Sequence, residues 1–208
     1  MTAPDHNLGP WPHYEEDEVE AAANVLRSGR VNYRTGDQGT AFESEYAAAA
    51  GVAYALTTAN GTAALEIALE AIGVSDGDEV IVPARTFVAT AAAVVRCGAV
   101  PVVADIEPRS QNLDEDTIAA VLSDRTRAII PVHLAGWPAD MDAILAVARA
   151  SDLAVIEDCA QAHGAKYKGQ AVGTFGDIGC FSFCQDKIIS TGGEGGLVMT
   201  NDAGLYKR

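Results

Sequence analysis

Basic residues are scarce in this sequence. Lysine and arginine number 14 against 29 aspartates and glutamates, a formal net charge of −15. A chain this acidic repels phosphate backbones and anionic lipid, which argues against nucleic acid and membrane surfaces as partners. The acidic residues are dispersed, as in Glu15, Glu16, Asp17, Glu18 and Asp76, Asp78, Glu79, and read as a solvated surface. Cysteine is scarce too. The four residues, Cys97, Cys159, Cys180 and Cys184, form no Cys-x-x-Cys pair. That spacing argues against a zinc site or a disulfide framework and leads us to expect reduced thiols in the cytoplasm. The stretch Thr86–Ala104 is apolar, but Arg96, Gly98 and Pro101 interrupt it, so a helix, a turn and a strand are expected there rather than a membrane span. Met1–Trp11 lacks the basic start and apolar centre of a secretion signal. We find neither an internal repeat nor a low-complexity linker.

What is present is a globular composition. The chain has 208 residues, 49% of them hydrophobic, enough for one substantial core or two small domains. Short apolar runs alternate with longer helical stretches. Strands are expected at Tyr54–Thr57, Glu79–Val82, Val100–Ala104, Ala128–Val132, Ala154–Ile156, Cys180–Phe183 and Leu197–Thr200. Several are rich in Val and Ile without polar alternation, as strands buried on both faces require. Helices are expected at Glu16–Ser28, Thr40–Ala50, Thr62–Ile72, Thr86–Cys97, Leu113–Leu122 and Ala139–Ala150. Gly73 and Gly98 follow two of them as stop signals, and Asp114 and Asp140 start two others. This alternation predicts an α/β domain with a mostly parallel sheet, and such sheets hold ligands beyond the carboxyl ends of their strands. Asn201 or Asp202 opens a further helix about one turn before Arg208, which leads us to expect that the protein continues past this residue.

The segments after the strands carry the chemistry. Asn60-Gly61-Thr62 opens a helix, where free amides and the helix dipole favour a phosphate; it also reads as an ordinary capped helix start. Phe87 stands at a strand–helix junction, where an aromatic can stack on a flat ring or simply fill a core. Asp158, Gln161 and His163 follow the strand at Ala154. A carboxylate there is costly unless paired. Asp158 is placed to face a protonated pyridine nitrogen and Gln161 a ring oxygen, with His163 behind them; structural capping is the other reading. Finally, Phe181–Lys187 leads into Gly192-Gly193-Glu194-Gly195-Gly196. A strand delivering a lysine into a glycine-rich loop suits a nucleophile, because a partly desolvated lysine loses proton affinity; most lysines are only solvated surface groups. The loop Ser28–Gly39, with Arg30 and Arg34, is either a diphosphate contact or a surface loop.

Taken in order, these motifs resemble one family. They are Asn60–Leu65, Thr86–Thr90, Pro131–Leu134, Asp140-Met141, Glu157–Ala165 and the lysine segment. From about Tyr14 to Arg208 the chain is similar to the DegT/DnrJ/StrS nucleotide-sugar aminotransferases. The resemblance implies the fold type I architecture, a three-layer αβα sandwich with a mostly parallel central sheet. It implies pyridoxal 5′-phosphate (PLP) as cofactor. Lys187 then matches the Schiff-base lysine, Asp158 the partner of the pyridine nitrogen and Gln161 the amide near the ring hydroxyl. Phe87 matches the stacking aromatic, and Gly61, Thr62 and Ser182 match phosphate ligands. It implies no metal.

The implied reaction moves an amino group from an amino acid, L-glutamate by preference, to a keto group of a nucleotide-linked sugar. A non-nucleotide cyclic ketone, or a PLP-binding piece without turnover, are the rival readings. One branch of the family carries histidine in place of the lysine and dehydrates its substrate; Lys187 argues against that branch. Members are about twice as long and work as homodimers. Residues 1–208 would therefore be an N-terminal segment plus the large domain, with a small C-terminal domain to follow.

Overall fold

The computed structural model describes residues 11–208, so the reading of Met1–Trp11 lies outside the described residues but for Trp11. The chain divides into a unit ending at Ala41 and a unit of Phe42–Arg208. In the first, helix α1 (Glu16–Ser28) starts with a capping box, in which the Glu15 amide donates to the Glu18 carboxylate at 2.7 Å. It stops at Gly29, whose φ of 68° suits glycine. In the loop that follows, Arg30 Nε donates to the Thr35 carbonyl at 2.7 Å, and its guanidinium lies 3.9 Å from Asp37. The Arg30 cation is thus engaged inside its own loop.

Helix α2 (Gln38–Ala50) contributes Phe42, Tyr46 and the buried Ala47 to the second unit's core. That unit is built on a seven-stranded sheet. Its strands are β1 (Tyr54–Thr58), β2 (Glu79–Pro83), β3 (Val100–Ala104), β4 (Thr126–Ile129), β5 (Ala154–Asp158), β8 (Ile178–Ser182) and β9 (Gly196–Thr200). The order across the sheet is β1-β9-β8-β5-β4-β2-β3. Strand β9 is antiparallel to both neighbours, and every other pairing is parallel. All strands but β9 therefore run one way, and their carboxyl ends share one edge.

Both faces of the sheet are covered except at the edge strand β3, where Val100 and Val103 are exposed, and the two-residue period of the strands sorts the side chains. Val80, Val82, Ala128, Ile130 and Ile156 join helices α3 (Gly61–Ala71) and α4 (Ala89–Arg96) in one core. Their strand neighbours Ile81, Ile129 and Val155 join α5 (Glu115–Ala119) and α6 (Met141–Ala150) in another. Toward β1 and β9 the second face packs on α2 through Phe181, Leu197 and Met199. The result is the expected three-layer sandwich.

Element boundaries moved for local reasons. β4 begins two residues earlier than expected and stops at Ile129, ahead of Pro131, which has no amide to donate; Val132 keeps only an isolated bridge to Asp158. α4 starts at Ala89, which leaves Thr86 and Phe87 in the loop before it. One hairpin was not anticipated: β6 (Lys166–Tyr167) and β7 (Gln170–Ala171). Lys168 and Gly169 turn it with positive φ at both positions, 49° and 88°, as the tight hairpin turns demand. A short helix α7 (Ala203–Tyr206) starts at Asp202, which caps it.

Glu157 on β5 is fully buried and fully engaged. Its carboxylate accepts the amides of Gly173, Phe175 and Gly176, each at 2.7 Å. His133 Nε2 lies 3.0 Å from it, while His133 Nδ1 accepts the Ala139 amide at 3.1 Å. Since Nδ1 accepts, Nε2 carries the proton and donates. Replacing Glu157 by glutamine turns one acceptor into a donor that faces an amide. We expect Glu157→Gln to destabilise the protein by about 2–4 kcal/mol in urea unfolding, and a loss under about 0.5 kcal/mol would refute this role.

Candidate functional site

At the carboxyl edge of the sheet lies a cavity of about 700 Å³. Each residue that the resemblance matched to a cofactor role contributes to its lining: Gly61 and Thr62 after β1, Phe87 after β2, Asp158 and Gln161 at the end of β5, Ser182 and Lys187 at and beyond the end of β8. They arrive from strands distant in sequence because those strands run one way.

The floor near β1 is the start of α3. Asn60 caps this helix: its side chain accepts the Ala63 amide at 2.8 Å, and its carbonyl accepts the Ala64 amide at 3.1 Å. The amides of Gly61 and Thr62 come before any intrahelical partner and face the cavity end. Gly61 has no room for a side chain. A Cβ there would stand 2.7 Å from the Ser182 Cβ. That close approach brings the Ser182 hydroxyl beside the helix start, so amides and a hydroxyl converge where an anion would sit.

Asp158 is 5% exposed. Its Oδ2 accepts the Thr90 hydroxyl at 2.8 Å, and its Oδ1 accepts the Ala160 amide at 3.1 Å. Burial pushes its pKa up; the Thr90 hydroxyl, the Ala160 amide and the nearby Lys187 cation oppose that push. Two donors thus hold the carboxyl group in place, and it still has lone pairs for the cavity it lines. Gln161 is oriented by the backbone: its Oε1 accepts the Ala135 amide at 2.8 Å. Ala135 sits at a φ of 51° in the short 3-10 turn Leu134–Gly136. With its oxygen held there, Gln161 has its amide nitrogen left to offer a ligand.

Phe87 is 64% exposed on the cavity wall, so it is not the core phenylalanine of the alternative reading. Lys187 has a side chain 19% exposed, with Nζ 3.7 Å from Asp186. Its loop is tied at the base. Phe183 donates to the Gly195 carbonyl at 2.8 Å and Gln185 to the Gly193 carbonyl at 2.9 Å. His163 does not line the cavity. It is buried behind the site, where Nε2 donates to the Ser182 carbonyl at 2.7 Å and Nδ1 accepts the Tyr46 hydroxyl, 3.0 Å away. Burial pushes the His163 pKa down and that of Tyr46 up, which keeps both neutral in this arrangement.

The sequence reading gave no role to Thr90, Thr86 or Tyr46. Their hydroxyls brace Asp158 and His163. The i, i+4 spacing of Thr86 and Thr90 signalled their own pairing but not the bond to Asp158. His133, Glu157 and Cys159 bring possible metal-ligand atoms within 4.8 Å of one another. Glu157 and His133 already spend those atoms on hydrogen bonds, so this cluster reads as a closed structural network. Cys159 and Cys180 are buried thiols, while Cys97 and Cys184 are half-buried, and all four are free.

A sequence model of the DegT/DnrJ/EryC1/StrS aminotransferase family matches residues 12–208. The chain is 52% identical over 178 residues to the UDP-N-acetyl-3-dehydro-alpha-D-glucosamine 3-aminotransferase of Acidithiobacillus ferrooxidans, covering 86% of this chain and 48% of that protein. It is 43% identical over 197 residues to the 3-amino-5-hydroxybenzoate synthase of Amycolatopsis mediterranei, covering 95% and 50%. Among solved structures, the aminotransferase from Psychrobacter cryohalolentis superposes with a TM-score of 0.94 at 53% identity, over 95% of this chain and 50% of that one. A sugar aminotransferase of Streptococcus pneumoniae, described as putative and solved in its PLP form, superposes with a TM-score of 0.86 at 30% identity, over 94% and 54%. The chain spans about half the length of the curated relatives it matches.

The tight packing at Gly61 gives a direct test. We expect Gly61→Ala to force Ser182 and α3 apart and to lower stability by about 1–3 kcal/mol, read by thermal or urea unfolding. An unchanged transition would mean that the helix start gives way freely.

Proposed function

The chain belongs to the DegT/DnrJ/EryC1/StrS aminotransferase family, and from this we propose that it is the cofactor-binding large domain of a PLP-dependent sugar aminotransferase. The observation that carries the reading is the convergence in one cavity of Lys187, the buried Asp158 carboxylate, the exposed Phe87 ring and the open start of α3. These groups fit the cofactor part by part: an amine for its aldehyde, an anion for its pyridinium, a ring for its ring and amides for its phosphate.

When bound, PLP supplies an electron-withdrawing ring that stabilises negative charge at the carbon bearing the amine. The chain's own residues do the rest. Lys187 Nζ would hold the aldehyde carbon and, once freed by an amino donor, would take the proton from the donor's α-carbon and deliver it to the former aldehyde carbon. Asp158 accepts the pyridine N–H and so keeps that nitrogen charged. Gln161, with its oxygen bonded to Ala135, donates its N–H to the ring oxygen. Phe87 covers one ring face and keeps water from it. The Gly61 and Thr62 amides, with the Thr62 and Ser182 hydroxyls, hold the phosphate.

We take L-glutamate as the amino donor and a keto group on a nucleotide-linked sugar as the acceptor. The likeness to a UDP-sugar aminotransferase supports this. The likeness to a 3-amino-5-hydroxybenzoate synthase favours a second reading, a ring that carries no nucleotide. We further propose a homodimer in the cytoplasm, in which a small C-terminal domain beyond residue 208 and the partner subunit complete the substrate site. No helix among the described residues is long and apolar enough to cross a membrane.

Adding PLP to the purified chain should give an absorbance band displaced from that of free PLP. Borohydride should then fix the cofactor on Lys187, found by peptide mass. Lys187→Ala should abolish the fixed adduct and all but a trace of turnover; a fixed adduct elsewhere, or turnover preserved in the variant, would overturn the assignment. A panel of nucleotide-linked and free cyclic ketones separates the two substrate readings. Phe87→Ala should weaken PLP binding by roughly 2- to 10-fold, the worth of one aromatic stack, as titrated by fluorescence.

A further inference from the structure

Thr90 is buried to zero exposure on the first turn of α4, and its hydroxyl does not follow the usual habit of helical threonines. Such hydroxyls commonly bond back to a carbonyl one turn earlier. Thr90 instead donates across the fold to Asp158 Oδ2 at 2.8 Å. A hydroxyl has one proton, and that bond uses it. The Thr86 hydroxyl, 2.7 Å from Thr90 Oγ1, must therefore be the donor of its pair. With Asp158 ionised the order is fixed: Thr86 donates to Thr90, and Thr90 donates to Asp158. The chain of hydroxyls ends on a carboxylate that can only accept. Burial alone would favour a neutral Asp158, which would leave the oxygen that carries the proton a donor.

We propose that Thr90, oriented by Thr86, is a positioning residue that keeps the Asp158 carboxylate ionised and turned toward the cavity. This rests on the reading of that cavity as a PLP site. The same turn carries Phe87 on the cavity wall, and the Thr90 amide donates to the Phe87 carbonyl at 3.2 Å. One short segment thus sets both the ring that would cover the cofactor and the carboxylate that would charge it. The role is positional because Thr90 is not part of the cavity lining and reaches a ligand only through Asp158.

The test uses PLP labelled with ¹⁵N in the pyridine ring, whose nitrogen shift separates the protonated from the neutral ring. Wild-type protein should show the protonated signal. Thr90→Val keeps the shape and removes the donor. It should move the signal toward the neutral ring and weaken PLP binding roughly 10- to 100-fold, the worth of one hydrogen bond to a charge. Thr90→Ser keeps the donor and should restore both readings. Thr86→Val should shift the signal in the same direction by less. A Thr90→Val protein with the wild-type signal and affinity within about twofold would overturn the proposal. So would failure of Thr90→Ser to restore the signal. Should Thr90→Val not fold, Thr86→Val decides: an unmoved signal overturns the proposal, a moved one supports it. If wild-type protein takes up no borohydride-fixable PLP on Lys187, the functional reading itself fails, and that outcome is visible before any threonine variant is measured.

Discussion

Two consecutive buried carboxylates at the end of β5 are the constraint on which the rest of the unit depends. Ionised carboxylates out of water are costly unless each is paired. The strand's two-residue period sends Glu157 and Asp158 to opposite faces, and the fold answers each differently. Glu157 is saturated by three backbone amides and by His133, which fixes the segment Gly173–Gly176 and the connection after β4. Asp158 is only partly satisfied, by one hydroxyl and one amide, and its remaining capacity points into the cavity. One carboxylate is spent on structure so that the other stands firmly in place with something left to give.

The same division of labour recurs around the cavity. Gln161 spends its oxygen on the Ala135 amide and keeps its nitrogen. Ser182 gives its carbonyl to His163, which is itself held by Tyr46, and keeps its side chain beside Gly61. Asn60 satisfies the Ala63 and Ala64 amides, and the two amides ahead of them stay open. In each case a neighbour behind the wall consumes one hydrogen-bonding function and leaves another facing inward. Groups held this way need little reorganisation when a ligand arrives, the condition under which fixed dipoles stabilise charge best.

Much of this was legible in the sequence because the signals were local. The Val- and Ile-rich run at Glu79–Val82 marked a buried strand; the similar run at Val100–Ala104 marked a strand too, but one at the sheet's edge with Val100 and Val103 exposed, and residues at strand ends then pointed to one edge. Asp114, Asp140 and the pair Asn201-Asp202 announced helix starts, and Asp114, Asp140 and Asp202 each cap one. The hairpin at Lys166–Ala171 escaped because its strands have two residues each, too short for a period, and because lysine rather than asparagine or glycine takes the first left-handed turn position. The roles of Thr90 and Tyr46 escaped for another reason. Their partners lie 68 and 117 positions away, and no local pattern reports a side chain that bonds across a sheet. For His163 the placement behind the site was legible, and its partners, the Ser182 carbonyl and the Tyr46 hydroxyl, were not.

Lys187 has to combine two demands that pull against each other. On the proposed reading it anchors a cofactor and then moves a proton, so it must be accurately placed and yet able to swing. Its loop and its side chain together meet both. The strands on either side of it, β8 and β9, are paired in the sheet, and bonds from Phe183 to Gly195 and from Gln185 to Gly193 extend that ladder to the loop's mouth. Beyond the mouth the ties are short-range, such as the Thr191 hydroxyl to the Glu194 carbonyl at 2.8 Å. Gly196 lies so near the Asn60 carbonyl and the Thr58 side chain that a Cβ would collide there, so the returning strand is seated against the α3 start. The loop's two ends are thereby registered to the two features the amine would serve, the anion site at Gly61 and the carboxylate at Asp158. The freedom to swing lies in the flexible four-carbon stem of Lys187, because Gly193, Gly195 and Gly196 are held at the loop's mouth.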